Sequence, residues 1–339
     1  MLGMQLRNLT LLALTLFFTA CATTAPQVPE TNAAGTSFGT FYAKLKTEAK
    51  AKGYNPAQLD AAFEGKPAPL PAVLKSEQSQ PELTRTFAEY TGSMLSTDRI
   101  SRGTQNLKDH NTDLTKTFAR TGVSPSVVVA LWGIETNFGK VQGEHPILPA
   151  LITLAWQSPR SDYFRKETFA ALEVLKVTGK KPANLIGSWA GAMGQCQFMP
   201  SSYLAYATDG DGDGKADIWS SQSDVFASAA TYLQKRGWKG SVPWRIAVND
   251  AFDSTNLKLN SRGLSEPETL FNWQARGFKL PKGLAVNSAE KFRYYHPQEG
   301  GPAFLLGPNF SVILSWNNSS YFAWSVLNLA DTMEQESKQ

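Results

Sequence analysis

The strongest constraint on the fold is SVVVALWGIE, residues 126–135, an almost wholly apolar run that ends in a single acid, Glu135. Ser124 and Pro125 are typical of the N-cap and first position of a helix, and Gly139 is typical of a helix stop. A helix this apolar must be buried, and a chain of 339 residues that is 42% hydrophobic can build a core around it. The pattern predicts a buried helix with Glu135 in its last turn.

The position of Glu135 suggests a chemical use, because a lone carboxylate in apolar surroundings costs free energy. Apolar neighbours and the negative end of the helix dipole both favour the protonated carboxyl group, which is the form that a general acid needs. The alternative is a structural glutamate that is hydrogen-bonded to the backbone. This segment alone leaves the two interpretations open.

A second stretch, GSWAGAMGQCQFMPSSY at residues 187–203, combines closely spaced glycines with amides and aromatic rings. Glycines allow the backbone to approach a ligand or a helix closely. Amides and hydroxyls can bind sugar hydroxyls, while flat rings can stack on the apolar faces of sugars. The alternative is a tight helix-packing loop. The polar candidates are Ser188, Gln195 and Gln197, and the aromatic candidates are Trp189, Phe198 and Tyr203.

Charge and metal-ligand patterns exclude several classes of protein. The formal net charge of +4 is a mild excess without the Lys/Arg blocks of a nucleic-acid binder, so no nucleic-acid partner is expected. His110, His145 and His296 are scattered and form no HExxH motif, which argues against a zinc peptidase. Cys196 is predicted to be a small buried residue.

The acidic stretch DGDGDGKADIW resembles the start of an EF-hand calcium loop. Asp209, Asp211 and Asp213 would supply side-chain oxygens at positions one, three and five, with Gly214 at the sixth position. The seventh position would supply the carbonyl oxygen of Lys215. Like charges at this spacing repel one another unless they are paired, which favours a bound cation.

The pattern breaks at the twelfth position, which is Ser220 instead of Glu. Asp217 adds a fourth acid to the loop, and Asp224 at the start of a following helix is the best substitute ligand. The expected cofactor is therefore a structural Ca²⁺ held by an EF-hand-like loop at residues 209–224, with no organic cofactor. The alternative is a solvated Asp-Gly turn.

The N-terminus, residues 1–21, reads as a lipoprotein signal peptide with Arg7 before an apolar stretch at residues 11–18. The ending FTAC resembles a bacterial lipobox in which Cys21 is lipidated, and Ala22 favours the outer membrane over the inner one. Two acyl chains would hold a periplasmic protein stably at that membrane. Plain secretion is the alternative. Residues 22–37 are rich in Ala, Thr and Pro and are predicted to be a flexible tether.

Five segments together, GIETNFG, PRSDYF, GSWAGAMGQCQFMPSSY, DGDGDGKADIW and WNNSSYFAWSVLNLA, resemble the membrane-bound lytic murein transglycosylase B family. The resemblance extends from about residue 38 to the end of the chain. It implies a mainly α (α+β) fold with a lysozyme-like helical core, an additional helical domain and a small β-rich domain. It also implies action on peptidoglycan glycan strands.

The domain organisation follows from this resemblance and from the local patterns. We expect a helical domain at residues 38–120, the catalytic core at 121–240, a small β-rich domain at 241–305 and a return to the core at 306–339. Short apolar stretches and many turn residues after Gly240 support the β-rich assignment.

The resemblance also implies roles for individual residues, with Glu135 as the catalytic acid. Two departures from the family pattern are Ser161 after Arg160, where some members have a second arginine, and Trp316 and Phe322 in place of tyrosines. The residues expected around the sugars are Tyr90, Arg160, Ser188, Gln197, Phe198 and Asn317.

The implied reaction is cleavage of the MurNAc-β-1,4-GlcNAc bond by a single Glu that acts as acid and then as base, leaving a 1,6-anhydromuramoyl end. Ordinary glycosidases need two carboxylates, and the candidates for a second, Glu144 and Asp162, read as solvated charges. A lysozyme-like hydrolase and a catalytically silent peptidoglycan-binding lipoprotein remain as alternatives. Cell-wall synthases and divisome proteins are the protein partners that such an enzyme would meet.

Overall fold

The computed structural model describes residues 28–78, 85–240, 242–249, 252–298 and 300–338. The predicted signal peptide and Cys21 lie outside the described residues. Helices dominate the described chain, as the sequence predicts. They are α1 (Phe38–Ala51), α2 (Ala57–Ala62), α3 (Pro71–Glu77), α4 (Phe87–Met94), α5 (Thr97–Asp109), α6 (Asn111–Thr121), α7 (Pro125–Thr136), α8 (Ile147–Gln157), α9 (Ser161–Thr178), α10 (Pro200–Tyr206), α11 (Gln222–Lys235), α12 (Leu270–Ala275), α13 (Pro308–Trp316) and α14 (Ser320–Glu336).

The strands are short and form two antiparallel sheets. A two-stranded sheet pairs β1 (His145–Pro146) with β2 (Ile186–Gly187). A four-stranded sheet has the order β3-β6-β5-β4. Its strands are β3 (Arg245–Ala247), β4 (Glu268–Thr269), β5 (Lys291–Tyr295) and β6 (Phe304–Leu306).

Helix α7 lies at the centre of the main hydrophobic core, as its apolar sequence predicts. It packs against α5, α6, α11 and α14, and all residues from Ser126 to Gly133 are buried. Pro125 occupies the first turn as expected, but the side chain of Ser124 does not cap the helix. The Ser124 hydroxyl instead donates to Glu334 Oε1 at 2.9 Å, which joins the start of α7 to α14.

The predicted helix stop at Gly139 is wrong by three residues. The helix ends at Thr136, and the next three residues all have left-handed φ angles: 53° for Asn137, 60° for Phe138 and 78° for Gly139. Left-handed backbone is costly for a bulky residue such as Phe138, so tertiary contacts must hold it there. The chain consequently turns away directly after Glu135.

The contacts that hold Phe138 come from two helices. Its ring lies so close to Gly133 that a Cβ there would be 2.6 Å from Phe138 Cε1. The Arg102 guanidinium lies over the same ring at 5.0 Å, and its Nη2 donates to Asn137 Oδ1 at 2.5 Å. The end of α7 is thus fixed by tertiary packing, which no local turn signal in the sequence predicts.

The segment after Gly240 has a hydrophobic cluster of its own, as well as the four-stranded sheet. Trp273 is fully buried in this cluster, and its indole nitrogen donates to Phe292 O at 3.0 Å. The mainly α fold with a small β-rich part is therefore confirmed. The cluster consists of Ile246, Leu270, Trp273, Phe278, Phe292, Tyr294 and Leu305.

No helix within the described part of the chain is both long enough and apolar enough to cross a membrane.

Candidate active site

A groove with a volume of about 980 Å³ runs past the end of α7 and is lined from three sides. We call these the core side, the β side and the C-terminal side. The core side carries Glu135 together with the rings of Tyr163 and Trp189. The core side comprises Glu135, Arg160, Tyr163, Trp189, Ala190, Ala192, Gln197 and Met199; the β side comprises 261–263 and 295–297; the C-terminal side comprises 314–321.

Glu135 is half-buried in the groove and accepts a hydrogen bond from another wall. The indole nitrogen Nε1 of Trp316 donates to Glu135 Oε1 at 2.7 Å. An indole N–H can only donate, so Glu135 Oε1 is the acceptor of this bond. In the sequence, Trp316 stands out only as a departure from a family tyrosine. Its contact with a residue 181 positions away has no local signal.

Aromatic packing fixes Trp316 beside the acid. Its ring centroid lies 5.2 Å from that of Phe198 and 4.8 Å from that of Tyr232. The Tyr232 hydroxyl also donates to the carbonyl of Ser315, the preceding residue. Phe198 is only 2% exposed, so this predicted wall residue lies behind Trp316. The edge-to-face contact with Tyr232 and the tilted contact with Phe198 restrain the indole and hence the direction of its N–H.

Gln197 and Ser188 belong to the glycine-rich stretch on the core side. Gln197 lines the groove with a left-handed φ of 49°, and its Nε2 donates to Gln142 O and Gly194 O. Both amide protons are thus engaged, which leaves the Oε1 atom as its acceptor for a ligand hydroxyl. Ser188 Oγ accepts from Ala192 N at 3.0 Å, so it shapes the turn that presents Trp189.

Gln195, the other amide of this stretch, is buried and has structural partners. Its Oε1 accepts from Trp132 Nε1 at 2.7 Å, and its Nε2 donates to Trp219 O at 2.9 Å. A Cβ on Gly139 would lie 2.3 Å from Gln195 Oε1, which is why glycine follows the left-handed turn at that point. Gln195 therefore joins α7 to the acidic loop and is not part of the groove.

The remaining predicted sugar-binding residues lie at different depths. Arg160 and Asn317 line the groove with Glu135. Tyr90 is only 3% exposed, and its ring packs at 5.8 Å against Tyr321, which does line the groove. The structure therefore brings Arg160, Gln197 and Asn317 to the groove surface with Glu135. It places Tyr90 and Phe198 behind that surface, as supports.

Glu135 is the one acid among the lining residues that the structure describes. Neither Glu144 nor Asp162 lines this groove. Glu167 lines an adjoining cavity of about 470 Å³, but it is buried, and its oxygens accept from Ser201 N at 2.9 Å and Ser201 Oγ at 2.6 Å. Those bonds tie Glu167 to the start of α10, so it is not placed as a second reacting carboxylate.

Sequence reasoning missed several lining residues. Tyr163 lies in the quoted PRSDYF stretch, where its place at the start of α9 beside Arg160 offered a signal. Arg262 and His296 come from the β-rich segment, whose loops offered none.

The acidic loop lies between α10 and α11, and three of its carboxylates converge. Oxygens of Asp209, Asp211 and Asp213 all lie within 4.8 Å of one another. Backbone N–H groups of Gly212 and Gly214 donate to Asp209 and lower the pKa of its carboxyl group from the ordinary value. An ionised oxygen cluster of this kind suits a hard cation such as Ca²⁺.

The other two predicted carboxylate ligands bind the backbone of the loop instead. Asp224 is 1% exposed and accepts from Gly210 N at 2.7 Å and Asp217 N at 2.6 Å, and burial raises the pKa of its carboxyl group. Asp217 accepts from Trp219 N at 2.9 Å and Ser220 N at 3.2 Å. Lys215 N donates to Asp213 Oδ1 at 2.8 Å. These bonds brace the loop from behind the cluster.

Cys196 is buried, as predicted, and is a free thiol. Burial raises the pKa of this thiol, which keeps it protonated and unreactive.

Comparisons with known proteins agree with this geometry. The family description "Transglycosylase SLT domain" matches residues 37–331. The membrane-bound lytic murein transglycosylase B of Escherichia coli (strain K12) is 30% identical over 257 residues, which cover 73% of this chain and 67% of that protein.

Solved structures with the same fold include two informative complexes. SltB3 from Pseudomonas aeruginosa, in complex with NAG-anhNAM-pentapeptide, is 38% identical with a TM-score of 0.78, covering 88% of this chain and 80% of that chain. The Escherichia coli lytic transglycosylase SLT35, in complex with calcium, is 26% identical with a TM-score of 0.77, covering 91% of this chain and 96% of that chain. These matches confirm the lysozyme-like fold. The chain belongs to the transglycosylase SLT-domain family and is a lytic murein transglycosylase, an enzyme that cleaves peptidoglycan without hydrolysis.

Proposed function

We propose that Glu135 is the single acid and base of this enzyme and that the groove holds the glycan strand across it. The observation that carries this proposal is that no second acid shares the groove with Glu135 among the lining residues described. A hydrolase of the two-carboxylate kind needs a base or nucleophile about 5 to 10 Å from the acid.

The proposed reaction consumes no water. Glu135 donates its proton to the glycosidic oxygen while the bond from that oxygen to the muramoyl C1 breaks. The resulting carboxylate then accepts the proton of the C6 hydroxyl group of the same muramoyl residue, whose oxygen bonds to C1. Glu135 ends protonated, ready for another turnover, and the product carries a 1,6-anhydro ring.

The surrounding residues divide into those that orient the acid and those that bind sugar. Trp316 holds Glu135 Oε1, so that Oε2 can face the glycosidic oxygen. Gln197 and Asn317 offer polar atoms, and Trp189 and Tyr163 offer ring faces on the core side. Arg160 lines the groove and Ser188 shapes its rim. Tyr90 and Phe198 act from behind, through Tyr321 and Trp316.

The test is mass spectrometry of the products released from purified peptidoglycan. Protein lacking residues 1–21 should release anhydromuropeptides, and Glu135→Gln should release about 10³-fold less, because general acid and base steps each contribute about 10²-fold or more. The exposed Glu144→Gln is the matched control and should retain activity. Products with reducing ends would instead establish a hydrolase, and intact peptidoglycan bound by both wild type and Glu135→Gln would establish a silent binding protein.

We propose that the acidic loop binds a structural Ca²⁺. The converging oxygens of Asp209, Asp211 and Asp213 support this ligand, as does the calcium complex of SLT35. The Lys215 carbonyl, Asp217 and Asp224 remain predicted ligands, and the last two also brace the loop. The ion would neutralise the clustered charge and join α10 to α11.

We propose that Cys21 is lipidated and anchors the enzyme at the outer membrane, facing the periplasm. The lipobox-like FTAC ending and Ala22 support this, and the Escherichia coli relative is named membrane-bound. Cys21→Ser should move the protein from the membrane fraction to the soluble periplasmic fraction. Retention of Cys21→Ser in the membrane fraction would contradict the anchor. Cell-wall synthases and divisome proteins are the proposed partners at that location.

A further inference from the structure

The charge of the groove is unlike that expected for a site that binds only neutral sugar. Among the lining residues described, Glu135 is the one acid, whereas Arg160, Arg262 and His296 are basic. N-acetylated sugars carry no charge and need hydrogen bonds and stacking, not guanidinium groups. The surplus of basic groups indicates an anion on the natural ligand.

Arg262 on the β side is the basic group most clearly prepared for a ligand. It is half-buried, and no described carboxylate lies within ion-pair distance of it. Its side chain makes one hydrogen bond, from Nε to Asn318 O at 3.2 Å. The donors on Nη1 and Nη2 are left for another partner, and a partly desolvated cation without a counterion is costly until one binds.

The backbone around Arg262 is held by four contacts, so the guanidinium is presented from a fixed turn. Asn260 Oδ1 accepts from Arg262 N at 2.9 Å, and Gly263 N donates to Asn260 O at 2.9 Å. Leu264 pairs with Tyr295 of β5 in an antiparallel bridge. The carbonyl of Arg262 accepts from Ser320 Oγ at 3.3 Å, at the start of α14. Preorganisation of this kind reduces the entropy cost of binding.

The β-sheet register places a second basic group on the same side. The bridge pairs Leu264 with Tyr295, and Arg262 lies two residues before Leu264 while His296 directly follows Tyr295, so both line the groove from its β side. His296 Nε2 lies 3.0 Å from Gly301 O, which orients the ring from the β-rich segment itself. Both basic groups therefore come from the β side, whereas Glu135 belongs to the core side.

We propose that Arg262, supported by His296, binds a free carboxylate of the peptide attached to the muramoyl residue. In a peptide-bearing muramoyl unit the lactyl group is amidated, so the free carboxylates lie on the peptide. The planar guanidinium can bind a carboxylate through two parallel hydrogen bonds. This inference rests on the proposed function, and it makes the β side a selector for peptide-bearing glycan.

Binding calorimetry with three ligands tests the proposal on Glu135→Gln protein, which does not turn the ligand over. The ligands are NAG-NAM-pentapeptide, the same compound with every peptide carboxylate converted to a carboxamide, and peptide-free NAG-NAM with its lactyl carboxylate. Glu135→Gln protein with Arg262 intact should bind NAG-NAM-pentapeptide about tenfold or more tightly than the carboxamide compound. This comparison uses one protein, so it does not depend on how a variant folds.

Arg262→Gln in the same background should remove that preference, and the exposed Lys258→Gln from the same segment should keep it. Equal affinity for acid and amide ligands would overturn the proposal. A loss on Arg262→Gln that is confined to peptide-free NAG-NAM would also overturn it, since Arg262 would then bind the lactyl carboxylate. Failure of the proposed function is recognised separately, by the absence of anhydromuropeptides.

Discussion

The core side and the β side of the groove are built in different ways. Glu135 extends from a helix that is packed on all sides, whereas Arg262 lies on a turn of a segment with its own small hydrophobic cluster. The two parts meet at Tyr295, which is 1% exposed and whose ring lies 6.0 Å from both Phe310 and Trp324 of the main core. Glu135, the proposed catalytic group, lies at the end of a helix that is buried in the main core. The proposed selector lies on a turn whose Leu264 and Tyr295 belong to the main core, in a segment that also has a small cluster of its own.

The largest effect on stability should come from the core around α7. Phe226 is fully buried, and its ring lies 5.3 Å from both Trp132 and His110. Phe226→Ala should lower the free energy of unfolding by about 3–5 kcal/mol, because it leaves a cavity that close-packed neighbours cannot fill. Urea denaturation followed by circular dichroism measures this. A loss below about 1 kcal/mol would show that the core side is less tightly packed than we conclude.

A matched substitution in the β-rich segment should act locally. Trp273→Ala removes the largest side chain of the small cluster and its bond to Phe292 O. We expect faster proteolysis within residues 242–306 and weaker binding of peptide-bearing ligand, with the helical circular dichroism retained. Limited proteolysis with mass spectrometry locates the cuts. If Trp273→Ala instead lowered helical stability as much as Phe226→Ala, the two clusters would form one cooperative unit.

Removing the hydrogen bond from Trp316 to Glu135 should have a smaller effect, and it should fall on activity. Trp316→Phe keeps an aromatic ring against Phe198 and Tyr232 but deletes the N–H that binds Glu135 Oε1. We expect kcat to fall about tenfold with KM within about twofold, because a misoriented acid affects bond cleavage more than binding. Steady-state kinetics on a defined glycan separates the two constants. An equal rise in KM would assign Trp316 to sugar binding instead.

The sequence predicted the core side of the groove better than the β side. The apolar run and Ser124-Pro125 located α7 and the position of Glu135, since burial of such a helix is a local property of its residues. The helix end was predicted wrongly at Gly139 because Phe138 adopts its left-handed conformation through contacts with Gly133 and Arg102.

The site residues that sequence reasoning missed depend on distant pairings. Trp316 meets Glu135 across 181 positions, and Arg262 is held at the groove by the bridge between Leu264 and Tyr295 and by contacts with Asn318 and Ser320. No periodicity or turn signal in the sequence predicts such pairings. The composition after Gly240 predicted only that the segment is rich in β-structure.

The smallest expected effect concerns the acidic loop, which Gln195 joins to α7 on the core side. If the loop binds Ca²⁺, removal of the ion with a chelator should lower Tm by about 3–8 °C, since saturating ligand contributes about 2–3 kcal/mol to a domain of this size. Asp211→Asn should abolish the shift, and the exposed Asp253→Asn, outside the loop, should keep it. Because α10 and α11 line the cavity that adjoins the groove, through Tyr206 and Tyr232, activity should fall with Tm while acid-over-amide preference is unchanged. A chelator that altered that preference instead would show that the loop acts on the β side, and the division between the two sides would not hold.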